Sequence, residues 1–233
     1  MDEYEAPRRL AVLKAAEQIK DGYVVGLGSG STVAGAIEEI AKMLKERNLK
    51  VLFVPTSHQI ELVAITHGLK LAVFTEYPDL DLAIDGADQV DERLNLIKGG
   101  GAALTREKVV DASAGKLLIV VDEQKLVKRL GEQQPVPLEV LPYAHRAVIK
   151  KISKLGGKPV LREGKGKVGP IVTDNGNFIV DSDFGPIDNP SDLERQLKSI
   201  PGIIETGLFI DMAHSVYVGK KDGTVQVLER KSR

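Results

Sequence analysis

Apolar positions fall into two alternating textures over the first 130 residues. From about Pro7 to Lys20 they recur at helical spacing, with Leu10, Leu13 and Ala16 flanked by Ala11 and Ile19, and Asp21-Gly22 marks the end of the predicted helix. The run Tyr23 to Leu27 predicts a strand, followed at once by Gly28-Ser29-Gly30-Ser31-Thr32 and then by Val33, Ile37, Ile40 and Leu44. Those last spacings predict a helix, with Ser31 or Thr32 as its N-cap. The alternation continues with strands at Val51 to Val54, Leu69 to Phe74, Leu82 to Ile84 and Lys116 to Val121, and helices at His58 to Thr66 and Ala102 to Ala114. Such a series predicts an α/β fold with a mostly parallel, Rossmann-like sheet and helices on both faces. Ligands in these sheets sit beyond the carboxyl ends of the strands, so Gly28 to Thr32 and Asp85 to Asp88 are expected on one edge.

The texture changes near Gly131, where Gln133-Gln134-Pro135-Val136-Pro137 interrupts the alternation. A strand at Val136 to Leu141, a helix at Ala144 to Leu155 and a strand at Lys158 to Leu161 are expected next. The basic, glycine-rich Arg162 to Gly169 reads as an exposed loop. Ile171 to Thr173, Asp174-Asn175-Gly176-Asn177 and Phe178 to Val180 predict a hairpin. A helix after Asn189-Pro190-Ser191 completes a smaller α+β domain of the ferredoxin-like, split βαβ kind. Strands at Thr206 to Ile210, Ser215 to Val218 and Thr224 to Leu228 are expected to return to the first domain. The expected division is therefore 1–130 with 205–233 for the α/β domain, and 131–204 for the small α+β one.

Composition narrows the function. Among the 233 residues, 32 Lys and Arg nearly balance 33 Asp and Glu, for a net charge of -1. Neither sign is concentrated in one half, so nothing in the charge favours nucleic acid or an anionic membrane, and any negative ligand must be met locally. Aromatic residues are only 4% and Trp is absent, which speaks against a stacking platform for single strands. The absence of Cys removes disulfides, thiolate metal sites and Cys nucleophiles, and suits a reducing compartment. The opening MDEYEAPRRL lacks a signal-peptide pattern, and no apolar run approaches the roughly 20 residues of a membrane span, so a cytoplasmic location is expected.

Candidate chemistry clusters in Asp81 to Lys108, DLAIDGADQVDERLNLIKGGGAALTREK. Asp85 and Asp88 follow a predicted strand; Lys98 and three glycines precede a predicted helix that carries Glu107. On that helix Ala103, Glu107, Val110 and Ala114 share a stripe, which turns a carboxylate toward the packed side. Packing away from water raises a carboxylate's pKa toward neutrality, as a general base or acid requires, whereas a first-turn Glu held by the helix dipole or by Arg106 and Lys108 would be structural. Gly99, Gly100 and Gly101 favour a ligand pressed against backbone. Gly28 to Thr32 offers N–H groups and hydroxyls to an anion, or else is a tight turn that needs glycine. It is neither a dinucleotide fingerprint, since Val33 stands where the third glycine would be, nor a P-loop, since the lysine is missing. Lys125 could neutralise the same anion. An EF-hand count from Asp81 fails because Ala83 occupies a ligand position, and His58, His67, His145 and His214 form no zinc pair. No metal ligands are assigned, and no nucleophile elbow is present.

Taken together, GLGSGST, DLAIDGADQVD, LIKGGGAALTREK and VVDEQK resemble the A-type ribose-5-phosphate isomerases, and the similarity runs on through the second domain to the C-terminal strands. The resemblance implies interconversion of ribose 5-phosphate and ribulose 5-phosphate in the non-oxidative pentose phosphate pathway, without a metal or organic cofactor. It implies Glu107 as the base that moves a proton between C1 and C2 through a cis-enediol, and Lys98 as stabiliser of the oxyanion. Asp85 and Asp88 would handle hydroxyl protons, Asp85 assisting ring opening. Ser29, Gly30, Ser31, Thr32 and Lys125 would hold the sugar and its phosphate, with Gly86, Ala87, Gly99, Gly100 and Gly101 completing the substrate contacts. The implied partners are a small sugar phosphate and further copies of the chain, as a homodimer or homotetramer. Two departures from relatives are Ser29, where Thr is frequent, and Gln89, where Glu is frequent. The scaffold also resembles sugar-phosphate sensor domains that bind without turnover and, more distantly, aminosugar-phosphate deaminases and coenzyme A transferases. A sensor would normally add a DNA-binding module, for which the residues before Tyr23 are too few, and a transferase should form a thioester on a carboxylate.

Overall fold

The computed structural model describes residues 3–166 and 168–230. In chain order the elements are α1 (Glu5–Ala16), β1 (Val24–Leu27), α2 (Ser31–Ala34), α3 (Ile37–Glu46), β2 (Leu52–Pro55), α4 (His58–Thr66), β3 (Leu82–Gly86), β4 (Gln89–Val90), β5 (Leu96–Ile97), α5 (Leu104–Ala112) and β6 (Leu117–Asp122). They continue with β7 (Val136–Val140), α6 (His145–Lys154), β8 (Lys158–Leu161), β9 (Phe178–Asp183), α7 (Pro190–Lys198), β10 (Ile203–Thr206), β11 (Leu208–Phe209), β12 (Ser215–Gly219) and β13 (Val225–Glu229). They divide into two units, 1–87 with 106–125 and 212–233, and 88–105 with 126–211. The second is a wider span than the 131–204 that composition marks out.

The first unit is built on a six-stranded sheet in the order β13-β12-β6-β3-β1-β2, parallel throughout except for β13 at the edge. Strand residues alternate between its faces. Val25, Leu27, Leu82 and Ile84 bury themselves with Val12 of α1 and Ile40 of α3, while Val54, Leu80 and Val110 of α5 form a smaller cluster with Val24. The expected mostly parallel sheet with apolar helices packed on it is thus present, and the tail returns to it through β12 and β13, whereas the strand expected at Thr206 to Ile210 stays in the second unit, where Leu208–Phe209 pairs with β5.

Three local expectations need correction. The helix after Gly28 to Thr32 is broken into α2 and α3 at Gly35-Ala36, where the N–H of Ala36 reaches the Val33 carbonyl in a tighter turn. Its N-cap is Gly30, not Ser31 or Thr32, and no side chain caps it. The strand expected at Leu69 to Phe74 shrinks to one step, in which Phe53 N–H reaches the Lys70 carbonyl and Ala72 N–H the Phe53 carbonyl. Pro55, which has no N–H to donate, ends the partner strand β2.

In the second unit β7, β8, β9 and β10 form an antiparallel sheet in the order β10-β7-β9-β8. With α6 after β7 and α7 after β9, this is the βαββαβ arrangement of a ferredoxin-like layer. Leu138, Val140 and Val180 bury one face against Val148 and Ile152 of α6 and Leu197 of α7. Asn189 caps α7 by accepting from the N–H of Asp192 at 3.2 Å. The predicted hairpin exists as a turn, with Thr173 N–H to the Asn177 carbonyl at 2.8 Å, but its first arm is a single bridge from Val172 to Phe178. From Val180 onward the edge that arm would have used belongs to β8. A further three-stranded sheet has the order β11-β5-β4; β11 falls within the strand expected at Thr206 to Ile210, whereas β4 and β5, of two residues each, are too short to show a period.

Candidate active site

In the first unit β1 and β3 lie side by side, Leu27 opposite Ile84, and the Gly28 N–H donates to the Ile84 carbonyl at 2.9 Å. This brings the residue after β1 onto Asp85. A Cβ at position 28 would stand 1.9 Å from Asp85 Oδ1 and 2.6 Å from Asp85 Cα, so only glycine fits. Asp85 is fully buried, and its Oδ1 accepts from the Gly86 N–H at 2.6 Å. Thr32 comes to the same place: its Cβ is 3.9 Å from where a Cβ on Gly86 would be.

The loop after β1 is tied to the loop after β2. Ser29 Oγ meets Thr56 Oγ1 at 2.7 Å and donates to Ser57 Oγ at 2.6 Å. Thr56 Oγ1 also donates to the Leu27 carbonyl at 2.9 Å, and Ser57 Oγ accepts from the Ile60 N–H as the N-cap of α4. The Gly30 N–H donates to Gln59 Oε1 at 3.2 Å. Gly30 adopts φ 91°, a conformation that L side chains rarely adopt, while Ser31 is exposed at the start of α2. Thr56, Ser57 and Gln59 were missed in the sequence. The signal was present: Pro55-Thr56-Ser57-His58-Gln59 is a small polar cluster directly after a parallel strand, as Gly28 to Thr32 is.

Glu107 lies on the buried side of α5 and is 5% exposed. Three residues later Val110 packs over β1, where its Cγ1 would be 2.5 Å from a Cβ on Gly26. The helix runs back toward the start of β6, so Glu107 lies three residues, about 4.5 Å, nearer the carboxyl edge of the sheet than Val110. Asp111, one helical turn beyond Glu107 and 3% exposed, is a second buried carboxylate that went unremarked. Lys125 is half-buried in a single turn after β6, on the same carboxyl edge as Asp85 because β3 and β6 are parallel. Ala87 is half-buried just beyond β3.

In the second unit Asp88 N–H donates to the Ile97 carbonyl at 2.8 Å, extending the β4–β5 pairing, and Asp88 Oδ2 accepts from the Gly100 N–H at 2.8 Å. Lys98 is 2% exposed, with Nζ 5.3 Å from the centre of the Phe209 ring. Its backbone N–H donates to the Gly207 carbonyl. Gly99 is at φ 109°, and a Cβ there would be 2.7 Å from Leu104 Cδ2 and 3.1 Å from Pro137 Cβ. A Cβ at Gly100 would be 2.8 Å from Asp88 Oδ1, whereas Gly101 borders open space. Asp88 and Lys98 to Gly100 are thus brought together in one unit, and Asp85, Gly28 to Thr32 and Gly86 in the other.

Among the described residues no cluster of three or more His, Asp or Glu is arranged to hold a metal ion, and no helix is long and apolar enough to cross a membrane.

The family model of ribose 5-phosphate isomerase A (phosphoriboisomerase A) matches residues 52–223. The ribose-5-phosphate isomerase A of Methanosarcina acetivorans is 49% identical over 223 residues, 96% of this chain and 94% of that protein. The solved structure of ribose 5-phosphate isomerase A from Methanocaldococcus jannaschii superposes with a TM-score of 0.92 at 44% identity, covering 97% of this chain and 99% of that one. A D-ribose-5-phosphate isomerase solved in complex with phospho-erythronic acid has the same TM-score of 0.92 at 46% identity, covering 96% and 98%.

Proposed function

The chain belongs to the ribose 5-phosphate isomerase A family and is an aldose–ketose isomerase of the pentose phosphate pathway; on that premise we propose which of its residues carry the reaction. Glu107 is the general base. After the furanose ring of ribose 5-phosphate opens, its carboxylate takes the proton from C2, leaving a 1,2-enediolate, and returns it to C1. The hydroxyl proton at O2 departs as the ketone forms and O1 is protonated. Lys98 faces the enediolate, where a buried cation stabilises developing negative charge more than one in water does. Asp85 and Asp88 carry the hydroxyl protons, Asp85 during ring opening. Ser29 to Thr32, with Lys125, hold the sugar and its phosphate, and the backbone of Gly86, Ala87 and Gly99 to Gly101 lines the substrate.

The observation that carries this reading is Glu107 itself. A carboxylate only 5% exposed on a packed helix face is costly unless its environment is built for it, and it stands toward the sheet edge where Asp85 and the Gly28 to Thr32 loop also lie. We also expect a cytoplasmic enzyme that assembles as a homodimer or homotetramer and needs no metal ion, so that EDTA leaves turnover unchanged.

The test is incubation with ribose 5-phosphate in D2O, reading ketose formation and deuterium uptake at the exchanging carbon. Wild-type protein forms ketose and incorporates deuterium. Glu107→Gln keeps the fold and still binds sugar phosphate, with turnover lower by about 100-fold to 10,000-fold, the range for a positioned base. Wild-type turnover in Glu107→Gln would remove Glu107 from this role, and a wild-type protein that binds the sugar phosphate without forming ketose would indicate a sensor.

A further inference from the structure

Arg162, at the start of the basic, glycine-rich loop, is not a surface charge. Arg162 Nε and Nη2 form a fork onto Asp181 Oδ2 and Oδ1, the first at 2.7 Å. Its remaining nitrogen, Nη1, donates to both the Gly99 and the Gly100 carbonyl, each at 2.9 Å. The pair is shielded, with the side chains 15% and 23% exposed. Asp181 lies opposite Pro137 on the neighbouring strand, and Pro137 is, with Leu104, one of the two residues that a Cβ on Gly99 would meet.

Resting on the function proposed above, we infer that Arg162 is a positioning residue for the isomerase reaction, acting through the Gly99–Gly100 backbone on Asp88. In a trans peptide the C=O and N–H point in opposite directions. With the Gly99 carbonyl on the guanidinium, the Gly100 N–H must point the other way, and it meets Asp88 Oδ2 at 2.8 Å. The Gly100 carbonyl, held by the same nitrogen, likewise turns the Gly101 N–H away from Arg162. A cation on the two carbonyls also polarises both peptide units, strengthening the donors at their far ends. The guanidinium thus sets both the direction and the strength of the hydrogen bond that fixes Asp88, in the loop that begins at Lys98. Lysine cannot replace it: a point ammonium has no planar fork to grip Asp181 while reaching two carbonyls.

The test is steady-state kinetics on ribose 5-phosphate for wild type, R162K, R162A, D88N and R162A/D88N, with melting curves for each. R162A is expected to lose about 100-fold in kcat/KM, the effect of a misplacement of about 1 Å at a reacting group, and R162K at least about 10-fold while remaining folded. In the D88N background the same R162A change costs less than about 3-fold, because residues that act through one another are not additive. Millimolar guanidinium ion restores part of the R162A activity and none of the D88N activity. If R162A proves unstable, R162K and its coupling to D88N carry the test. The inference is overturned by wild-type kinetics in R162K, or by an undiminished Arg162 effect in the D88N background. Wild-type turnover in D88N would overturn it too by removing Asp88 from the reaction, whereas absence of ketose with the unmodified protein would overturn the function.

Discussion

Gly28→Ala is the most severe small change the geometry suggests. The added methyl carbon would stand 1.9 Å from Asp85 Oδ1, 2.1 Å from its Cγ and 2.6 Å from its Cα. A new rotamer of Asp85 could remove the first two contacts but not the third, which is with backbone. Carbon atoms pack at about 3.5–4.0 Å, so β1 and β3 must separate by about 1 Å at their carboxyl ends, although Gly28 donates to the Ile84 carbonyl there. Overpacking of this kind costs about 1–3 kcal/mol. At about 2–4 °C per kcal/mol for a chain of this size, the melting temperature should fall by roughly 2–12 °C. The activity loss should exceed what stability explains, because the displaced residue is Asp85: a shift of about 1 Å corresponds to about 100-fold in kcat/KM. Thermal melts followed by circular dichroism and coupled isomerase kinetics at 25 °C measure the two effects separately. Gly30→Ala is the contrast: its φ is 91° but nothing lies within 4 Å of the added Cβ, so it bears backbone strain without a clash. A Gly28→Ala protein with wild-type melting and kinetics would refute the packing argument and, with it, Asp85's role.

Two further expectations concern stability. Glu139 is fully buried on β7, and its Oε1 accepts from Thr173 Oγ1, Asn175 Nδ2 and Asn177 Nδ2 at 3.0, 3.0 and 2.8 Å; Glu139→Ala should cost about 2 kcal/mol and speed amide exchange over 173–177, whereas Glu139→Gln, which keeps an acceptor, should cost less. Asp222 accepts from the Thr224 hydroxyl and N–H, which hold its carboxyl below the usual range. A depressed folded-state value means that the stabilisation is present above the unfolded carboxylate's pKa and is lost as pH falls through the folded one, so Asp222→Asn should lower the melting temperature at pH 7, with the difference closing in strong acid.

What could be read from the chain follows from how far apart the interacting residues are. β1 and β3 each combine an apolar run with a glycine or acidic terminus, and their parallel pairing follows from the alternation, so the meeting of Gly28 with Asp85 was foreseeable at the level of one sheet edge. Glu107 was legible because its spacing to Val110 is local to one helix, although α5 is shorter than expected and leaves Ala103 and Ala114, the two ends of the predicted stripe, outside it. Asp111 shares that helix, but a search for one apolar stripe passes over a second acid at the i+4 position. The break at Gly35 and the loss of a strand at Leu69 to Phe74 were not legible because each depends on a partner: the buried face of α3 in one case, the ending of β2 at Pro55 in the other. The two-residue strands β4 and β5 leave no periodic trace, and they set the backbone between Asp88 and Lys98.

The split between chemistry and support follows the same logic. Residues proposed to touch substrate lie mostly in contiguous motifs, because a proton-transfer site can be assembled from the ends of neighbouring strands and one following helix. The groups that aim them come from elsewhere: Arg162 reaches the Gly99 carbonyl across 63 positions in sequence, and Thr56 meets Ser29 across 27. In β7 and β9, Leu138, Val140 and Val180 point to the helices, so alternation turns Pro137 and Asp181 to the opposite face. There Pro137 presses on Gly99 and Asp181 holds Arg162, which makes that face a platform for the loop that follows Lys98. The ferredoxin-like layer therefore has a physical route to the residues proposed to carry the chemistry, because Arg162, held on its helix-free face, takes the Gly99 carbonyl while the Gly100 N–H meets Asp88.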